Sequence, residues 1–445
     1  MDVRGPGGCL AATTPDAAVR RVAAVTVLVA LLGFGVLAAV LVPWQPVPES
    51  LGPLVLPEAA EVFTAEELAA SAAYSWPARW WSWTGLAVSL AVAGVLGFTR
   101  LGRALMARLP NPWWLRAWCG VAVVLLAGRL ATLPTGVGGW RLRVEHGLST
   151  QTWAGYLRDV AVGFTVNVAI TGLAVVVLLA IVRRWRTWWP AIAAGAFAAL
   201  VLAGSWLLPV LVEPLFHEFT PLAEGELRTE VIALAEAEGV EVGEVLVADA
   251  SRRTTTLNAW VSGFGSTKRV VLYDTLVEDL PRDEAMLVVA HELAHAAHSD
   301  VLVGTTLGAL GVAAAVAALG LIAFPVGRGS AGGGAGGAGR DRRPTPTPTP
   351  TPAHVPFILA LVAFASVVVA PAENGLSRLV ELRADVVALE VTGDAEAFER
   401  MQRGLALRSL RDPEPPRLSQ WWFGSHPTVL ERIGLARLYG HAARE

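Results

Sequence analysis

The chain has 445 residues, of which 54% are hydrophobic and 16% charged, with a formal net charge of −3. Soluble domains carry about 25% charged residues, so this composition points to a protein solvated largely by lipid. The slight acidity gives no electrostatic case for nucleic acid, and two cysteines, Cys9 and Cys119, exclude a disulfide scaffold and a cysteine-rich zinc module.

Residues 1–18 form a Gly-rich tail predicted to be disordered. Seven apolar stretches follow, near Val22–Val42, Trp83–Phe98, Trp118–Leu133, Val160–Val182, Trp189–Val212, Leu302–Phe324 and Val355–Pro371. A bilayer core needs about 20 apolar residues as helix, and the second and third stretches are short for it. Tryptophans and arginines crowd the ends, as at Trp80, Trp81 and Arg183, Arg184, Trp185. The first stretch is longer than the roughly 7–15 apolar residues of a signal peptide, so it reads as a retained helix. Residues 19–214 thus form an N-terminal membrane domain of about five helices. Arg129 lies inside the third stretch. Either it faces a bundle interior or aqueous cavity, or it snorkels to the interface. Counting arginines in short loops places the arginine-rich side in the cytoplasm and the polar block 213–284 on the opposite, outer side.

That block opens with an amphipathic helix over 224–239, ended by Gly239. β-prone runs follow at Glu244–Asp249, Thr254–Val261 and Arg269–Tyr273. A helix then begins after Pro281 and Asp283 and carries His291-Glu292-Leu293-Ala294-His295. Residues i and i+4 share one helical face, so both histidines reach one metal ion. Glu292 lies beside them, where a general base would take a proton from water activated by zinc.

A catalytic zinc needs a third protein ligand and an open position. The pattern with a third histidine six residues on fails, since His298 and Val301 occupy the diagnostic positions. Glu381 is the best candidate, on a helix expected to start after the last membrane stretch. Asp385, one turn on, suits an acceptor for a ligand histidine N–H, with Arg378 a turn earlier. Those three residues alone would equally make a surface salt-bridge ladder. The Thr254–Val261 strand is placed to bind extended substrate, with Asn258 fixing an amide, or is an ordinary strand. His426 and Arg432 near the C-terminus could donate to an oxyanion, or mark a helix entry with a surface arginine. The Gly-rich and Pro-Thr segment 327–353 reads as an exposed loop without a catalytic role.

Taken in order, these segments resemble the integral-membrane zinc metallopeptidases of the CAAX prenyl protease type. The resemblance runs through Leu215-Phe216 to Leu222, Asn258-Ala259, His291 to His295, Ser377 to Asp385, and Ser425-His426-Pro427 to Arg432-Ile433. His146 to Thr150 and Trp153 to Asp159 resemble a loop of the N-terminal half. The resemblance implies a mainly α-helical polytopic fold of about seven helices around an intramembrane chamber, with a small zincin-like α/β peptidase element. Residues 215–445 would form the peptidase domain. By carry-over, His291, His295 and Glu381 bind one Zn2+, Glu292 is the general base, and His426 and Arg432 assist the transition state. Trp260 stands where the family often has tyrosine, which bears on the substrate cleft. The family's peptidase domain usually faces the cytosol, opposite to the arginine count, and orientation stays open.

Three functions compete. The first is a zinc endopeptidase acting near the prenylated C-terminus of a protein. The second is a membrane quality-control metalloprotease of the heat-shock type; the long N-terminal half favours the first. The third is a non-catalytic membrane scaffold, against which the full set of catalytic residue types argues. A composition rich in Ala, Val, Gly and Arg fits a GC-rich bacterial genome, so the expected location is the plasma membrane of a bacterium, with the lipid bilayer and a peptide or protein substrate as partners.

Overall fold

A computed structural model describes residues 15–263, 268–322, 324, 349–442 and 444. The expected tail at 1–18 and loop at 327–353 lie largely outside the described residues. Five long helices come first: α1 (Pro15–Leu41), α2 (Ala65–Phe98), α3 (Trp113–Glu145), α4 (Trp153–Arg184) and α5 (Trp189–Leu211). A polar segment then gives β1 (Phe219–Pro221), α6 (Glu226–Ala237), β2 (Glu244–Ala248), β3 (Ala259–Ser262), β4 (Arg269–Tyr273) and α7 (Arg282–Ala297). The chain finishes with α8 (Asp300–Ala318), α9 (Val355–Thr392), α10 (Ala395–Arg408), α11 (Arg417–Phe423) and α12 (Val429–Ala442).

Seven helices among the described residues are long and apolar enough to cross a membrane, and each overlaps one of the expected stretches. Leu32, Val36 and Val40 of α1 stand exposed, as lipid-facing side chains do. Three helices run well beyond their apolar windows. α2 begins at Ala65, where Thr64 caps it: the Glu67 N–H donates to Thr64 Oγ1 at 3.3 Å and Glu67 Oε2 accepts from the Thr64 N–H at 2.9 Å. Its first turns lie against the C-terminal helices, where Glu67 pairs with Arg403 at 2.6 Å. α3 extends through Pro134 to Glu145. The expected break after the last membrane stretch is absent: α9 is one 38-residue helix that continues through Pro371 and carries Glu381. Hydropathy marks only the part of a helix that lipid solvates, so amphipathic extensions escape it.

α2, α3, α4 and α9 surround a cavity of about 350 Å³ lined by Ser89, Arg129, Thr132, Asp159 and Asn167, among others. Arg129 therefore faces an interior cavity. Placing the ion there avoids most of the cost of burying it in hydrocarbon.

The four strands form one sheet in the order β1-β2-β4-β3, with β2 and β4 parallel and the outer pairs antiparallel. β3 is thus an edge strand. It is shorter than Thr254–Val261: the 254–256 stretch is held by another part of the molecule. Thr254 Oγ1 donates to the Leu148 carbonyl at 3.2 Å, and Thr255 Oγ1 to that of Gly147 at 2.9 Å. In return, Ser149 Oγ donates to the Arg253 carbonyl at 3.0 Å. Gly147 takes φ +71° at this turn, a conformation open to glycine. Asn258 lies one residue before the strand.

α7 is buried on two sides. Ala285, Val289 and Leu293 pack on Val270 and Leu272 of the sheet, while Leu287 and Ala290 pack on Val386, Leu389, Phe398 and Met401. Burying a Val, Leu or Phe side chain contributes about 1.5–3 kcal/mol, so this helix is fixed in rotation.

Candidate metal centre and active site

His291 and His295 project from the same face of α7, and Glu381 reaches them from α9. The two Nε2 atoms lie 3.2 Å apart. Glu381 Oε2 is 3.2 Å from His291 Nε2, and Oε1 is 3.7 Å from His295 Nε2. Both Nδ1 atoms face carboxylates: that of His291 lies 2.9 Å from Asp385 Oδ1, and that of His295 lies 2.9 Å from Asp300 Oδ2. A neutral ring that gives its Nδ1–H to a carboxylate presents a lone pair at Nε2. Two such lone pairs and a carboxylate oxygen then converge on one point. Tetrahedral zinc at about 2.0–2.1 Å from each donor separates its ligands by roughly 3.3 Å, which these spacings match. The donor set fits a metal ion.

Electrostatics agree. Burial disfavours a charged His291 ring, but hydrogen bonds to Asp385 and Glu381 overcome it and raise its pKa to about 10. The carboxylates around the ring thus call for a positive charge there. Burial raises the Glu292 carboxyl above its ordinary value, against the pull of His291 and His295.

A cavity of about 330 Å³ opens on the site, with His291, Glu292, His426 and Arg432 among its lining and Asn258 on the β3 side. His426 Nε2 lies 3.4 Å from Glu381 Oε2, and its Nδ1 is 2.9 Å from Ser425 Oγ. Burial lowers the His426 pKa. Arg432 is buried and differs from expectation: its Nε donates to Asp385 Oδ2 at 2.7 Å and its Nη2 to Asp385 Oδ1. Two of its nitrogens are committed to a carboxylate that itself holds His291.

Arg378 also departs from its expected place. Its Nη1 donates to the carbonyls of Gln420 and Gly424, so it braces the segment leading to His426 and makes no ladder with Glu381. Trp260 does not reach the cleft. It packs with Phe219 and Tyr273 in an aromatic cluster on the sheet. The sequence reading missed Asp300, which accepts from His295 and from Arg383 Nη2. Ser299, at φ 56°, turns the chain so that Asp300 starts α8 beside the end of α7. It also missed Arg411, on the wall of the same cavity.

Fold and site together define a membrane-embedded metallopeptidase. Residues 221–438 match Peptidase family M48, and residues 53–218 match the CAAX prenyl protease N-terminal domain of five membrane helices. The chain belongs to peptidase family M48 and is a metalloendopeptidase related to the CAAX prenyl proteases. It is 29% identical over 313 residues to an uncharacterized metalloprotease of Bacillus subtilis, covering 70% of this chain and 71% of that one. It is 32% identical over 177 residues to a CAAX prenyl protease 1 homolog of rice, covering 39% of this chain and 42% of that one. With CAAX prenyl protease 1 of Saccharomyces cerevisiae it shares 35% over 152 residues, covering 33% and 32%. Those two matches span under half of either prenyl protease. The crystal structure of S. mikatae Ste24p superposes with a TM-score of 0.73 at 20% identity, covering 93% of this chain and 99% of that one, which makes the fold the same.

Proposed function

We propose that the protein is a zinc endopeptidase in which His291, His295 and Glu381 hold one Zn2+. The convergence of two imidazole lone pairs, 3.2 Å apart, beside Glu381 carries this reading. Bound there, zinc supplies Lewis acidity, which polarises a carbonyl and makes water nucleophilic near neutral pH. The chain's own groups do the rest. Glu292 takes the proton from the attacking water and passes it to the departing amine. Its buried setting and raised pKa suit a group that both accepts and returns a proton. His426 stands at the cavity mouth as a donor to the oxyanion. Asp385 fixes the His291 ring, and Arg432 acts through Asp385 as a positioning residue. Asn258, at the start of the edge strand β3, binds a substrate amide while the substrate pairs as a further strand.

The substrate is a peptide or protein segment entering from the membrane, with a prenylated C-terminus as the first class to test. The N-terminal match, residues 53–218, favours this over a quality-control protease. We assign residues 19–214 to the membrane enclosure, residues 215–445 to the peptidase, and the plasma membrane of a bacterium as the location.

The test is hydrolysis of matched prenylated and unprenylated fluorogenic peptides by purified protein with zinc, beside Glu292→Ala. Cleavage of the prenylated peptide alone, lost in the variant, supports the full reading. Glu292-dependent cleavage of both supports a general membrane endopeptidase, and cleavage that persists in Glu292→Ala overturns the mechanism.

A further inference from the structure

Arg411 is the one arginine on the wall of the catalytic cavity, among the described residues, that has no carboxylate or carbonyl partner. Arg432 in the same wall is clamped by Asp385, and Arg408 by Asp279 at 2.8 Å. Arg411 is held at its backbone instead. Its N–H donates to the Ala406 carbonyl at 2.9 Å, closing the end of α10, and its carbonyl accepts from Ser71 Oγ at 2.9 Å. The next residue, Asp412, pairs with Arg79 of α2. The residue before, Leu410, sits at φ 47°, in the left-handed region that non-glycine residues rarely occupy. A backbone pinned on both sides and strained at Leu410 therefore holds an exposed Arg411 on the wall of the cleft.

The position is informative. The cavity is lined by Thr256, Leu257 and Asn258, just before β3, and by Leu405, Ser409 and Arg411 at the end of α10, with Glu292 and His426 also on its wall. A peptide bound at the β3 edge would share this cavity with the catalytic groups and with Arg411. No ion pair joins Arg411 to Glu381. An exposed guanidinium on the catalytic cavity wall with no side-chain hydrogen bond is a ready partner for an anion, and guanidinium matches carboxylate in a bidentate fork.

We propose that Arg411 is a specificity-determining residue that binds a carboxylate of the substrate, either the free C-terminus or an acidic side chain near the scissile bond. This rests on the endopeptidase reading above. A terminal carboxylate held there would set the cleavage position by distance from the chain end; a side-chain carboxylate would set it by sequence.

The experiment compares one fluorogenic peptide in three forms: free acid, C-terminal amide, and free acid with its acidic side chains changed to amides. Each is assayed with the zinc-loaded full-length enzyme, Arg411→Gln and Arg411→Lys. The wild type should lose roughly ten- to hundredfold in kcat/KM, mainly through KM, on one of the two neutralised peptides, and that arm names the source. Arg411→Gln should lose a similar factor on the free acid and nothing more on that neutralised peptide, while Arg411→Lys recovers part of it. The same comparison as peptide binding to Glu292→Gln, alone and combined with Arg411→Gln, reads the site without turnover. A failure of hydrolysis with intact charge-dependent binding would then count against the endopeptidase reading and not against Arg411. Equal discrimination by wild type and Arg411→Gln, or none by the wild type in either assay, overturns the proposal.

Discussion

Asp300 stands to His295 as Asp385 stands to His291: each carboxylate oxygen lies 2.9 Å from the Nδ1 of its histidine. Each carboxylate is in turn held by an arginine, Arg383 for Asp300 and Arg432 for Asp385. One pair comes from the start of α8 and from α9, the other from α9 and α12, and together they lock both rings in the tautomer that turns Nε2 toward Glu381. Removing such a partner typically costs 10–100-fold in metal affinity. Asp300→Ala is therefore expected to weaken zinc binding by about that factor, matching Asp385→Ala, in competition with a chromophoric chelator. Unchanged affinity in Asp300→Ala would make the contact structural only.

Asp385 was legible in the sequence and Asp300 was not, for a physical reason. Helical spacing places Glu381 and Asp385 one turn apart on a helix, so pattern alone joins them. Asp300 follows His295 by five residues, across the end of one helix and the start of another. Its approach depends on the left-handed turn at Ser299, for which serine carries no special signal. The same limit explains Arg411, which follows the left-handed turn at Leu410. The seven membrane helices and the histidine-glutamate motif rest on local periodicity and were readable. The length of α9 and the displacement of Thr254–Thr256 from the sheet rest on packing against distant segments and were not.

The loop at 147–150 gives the N-terminal half a hold on the segment before Asn258. Asp159 strengthens it, accepting from Arg253 Nε at 2.8 Å and from Gln151 Nε2 at 2.6 Å. Asp159→Ala leaves a largely buried arginine without its partner, at a cost of about 1–3 kcal/mol. The expected result is a lower unfolding midpoint and a raised KM, with zinc content equal to the wild type. Loss of zinc in this variant would show that the contact supports the metal centre directly.

Glu238, after the end of α6, has both carboxylate oxygens buried without a hydrogen-bond partner. Burial raises its pKa from 4.5 to about 7. The folded state then binds the proton more tightly than the unfolded state, so this group favours folding most below pH 4.5, and that contribution is lost as pH rises toward 7. Glu238→Gln removes the penalty of ionisation. Allowing for its partial exposure, it should gain about 1–2 kcal/mol at pH 8 and little at pH 4.5, read as unfolding midpoints at the two pH values. Equal effects at both values would contradict the assignment.

The zinc site proposed at His291, His295 and Glu381 should keep its metal without Glu292. The most direct measurement is zinc per chain, by elemental analysis after equilibration with buffered zinc, in wild type, Glu292→Gln and Glu381→Ala. One zinc per chain is expected in the first two, with hydrolysis lost by roughly 10²–10⁴-fold in Glu292→Gln, and little zinc in Glu381→Ala. Full zinc occupancy in Glu381→Ala, at unchanged affinity, would contradict the account.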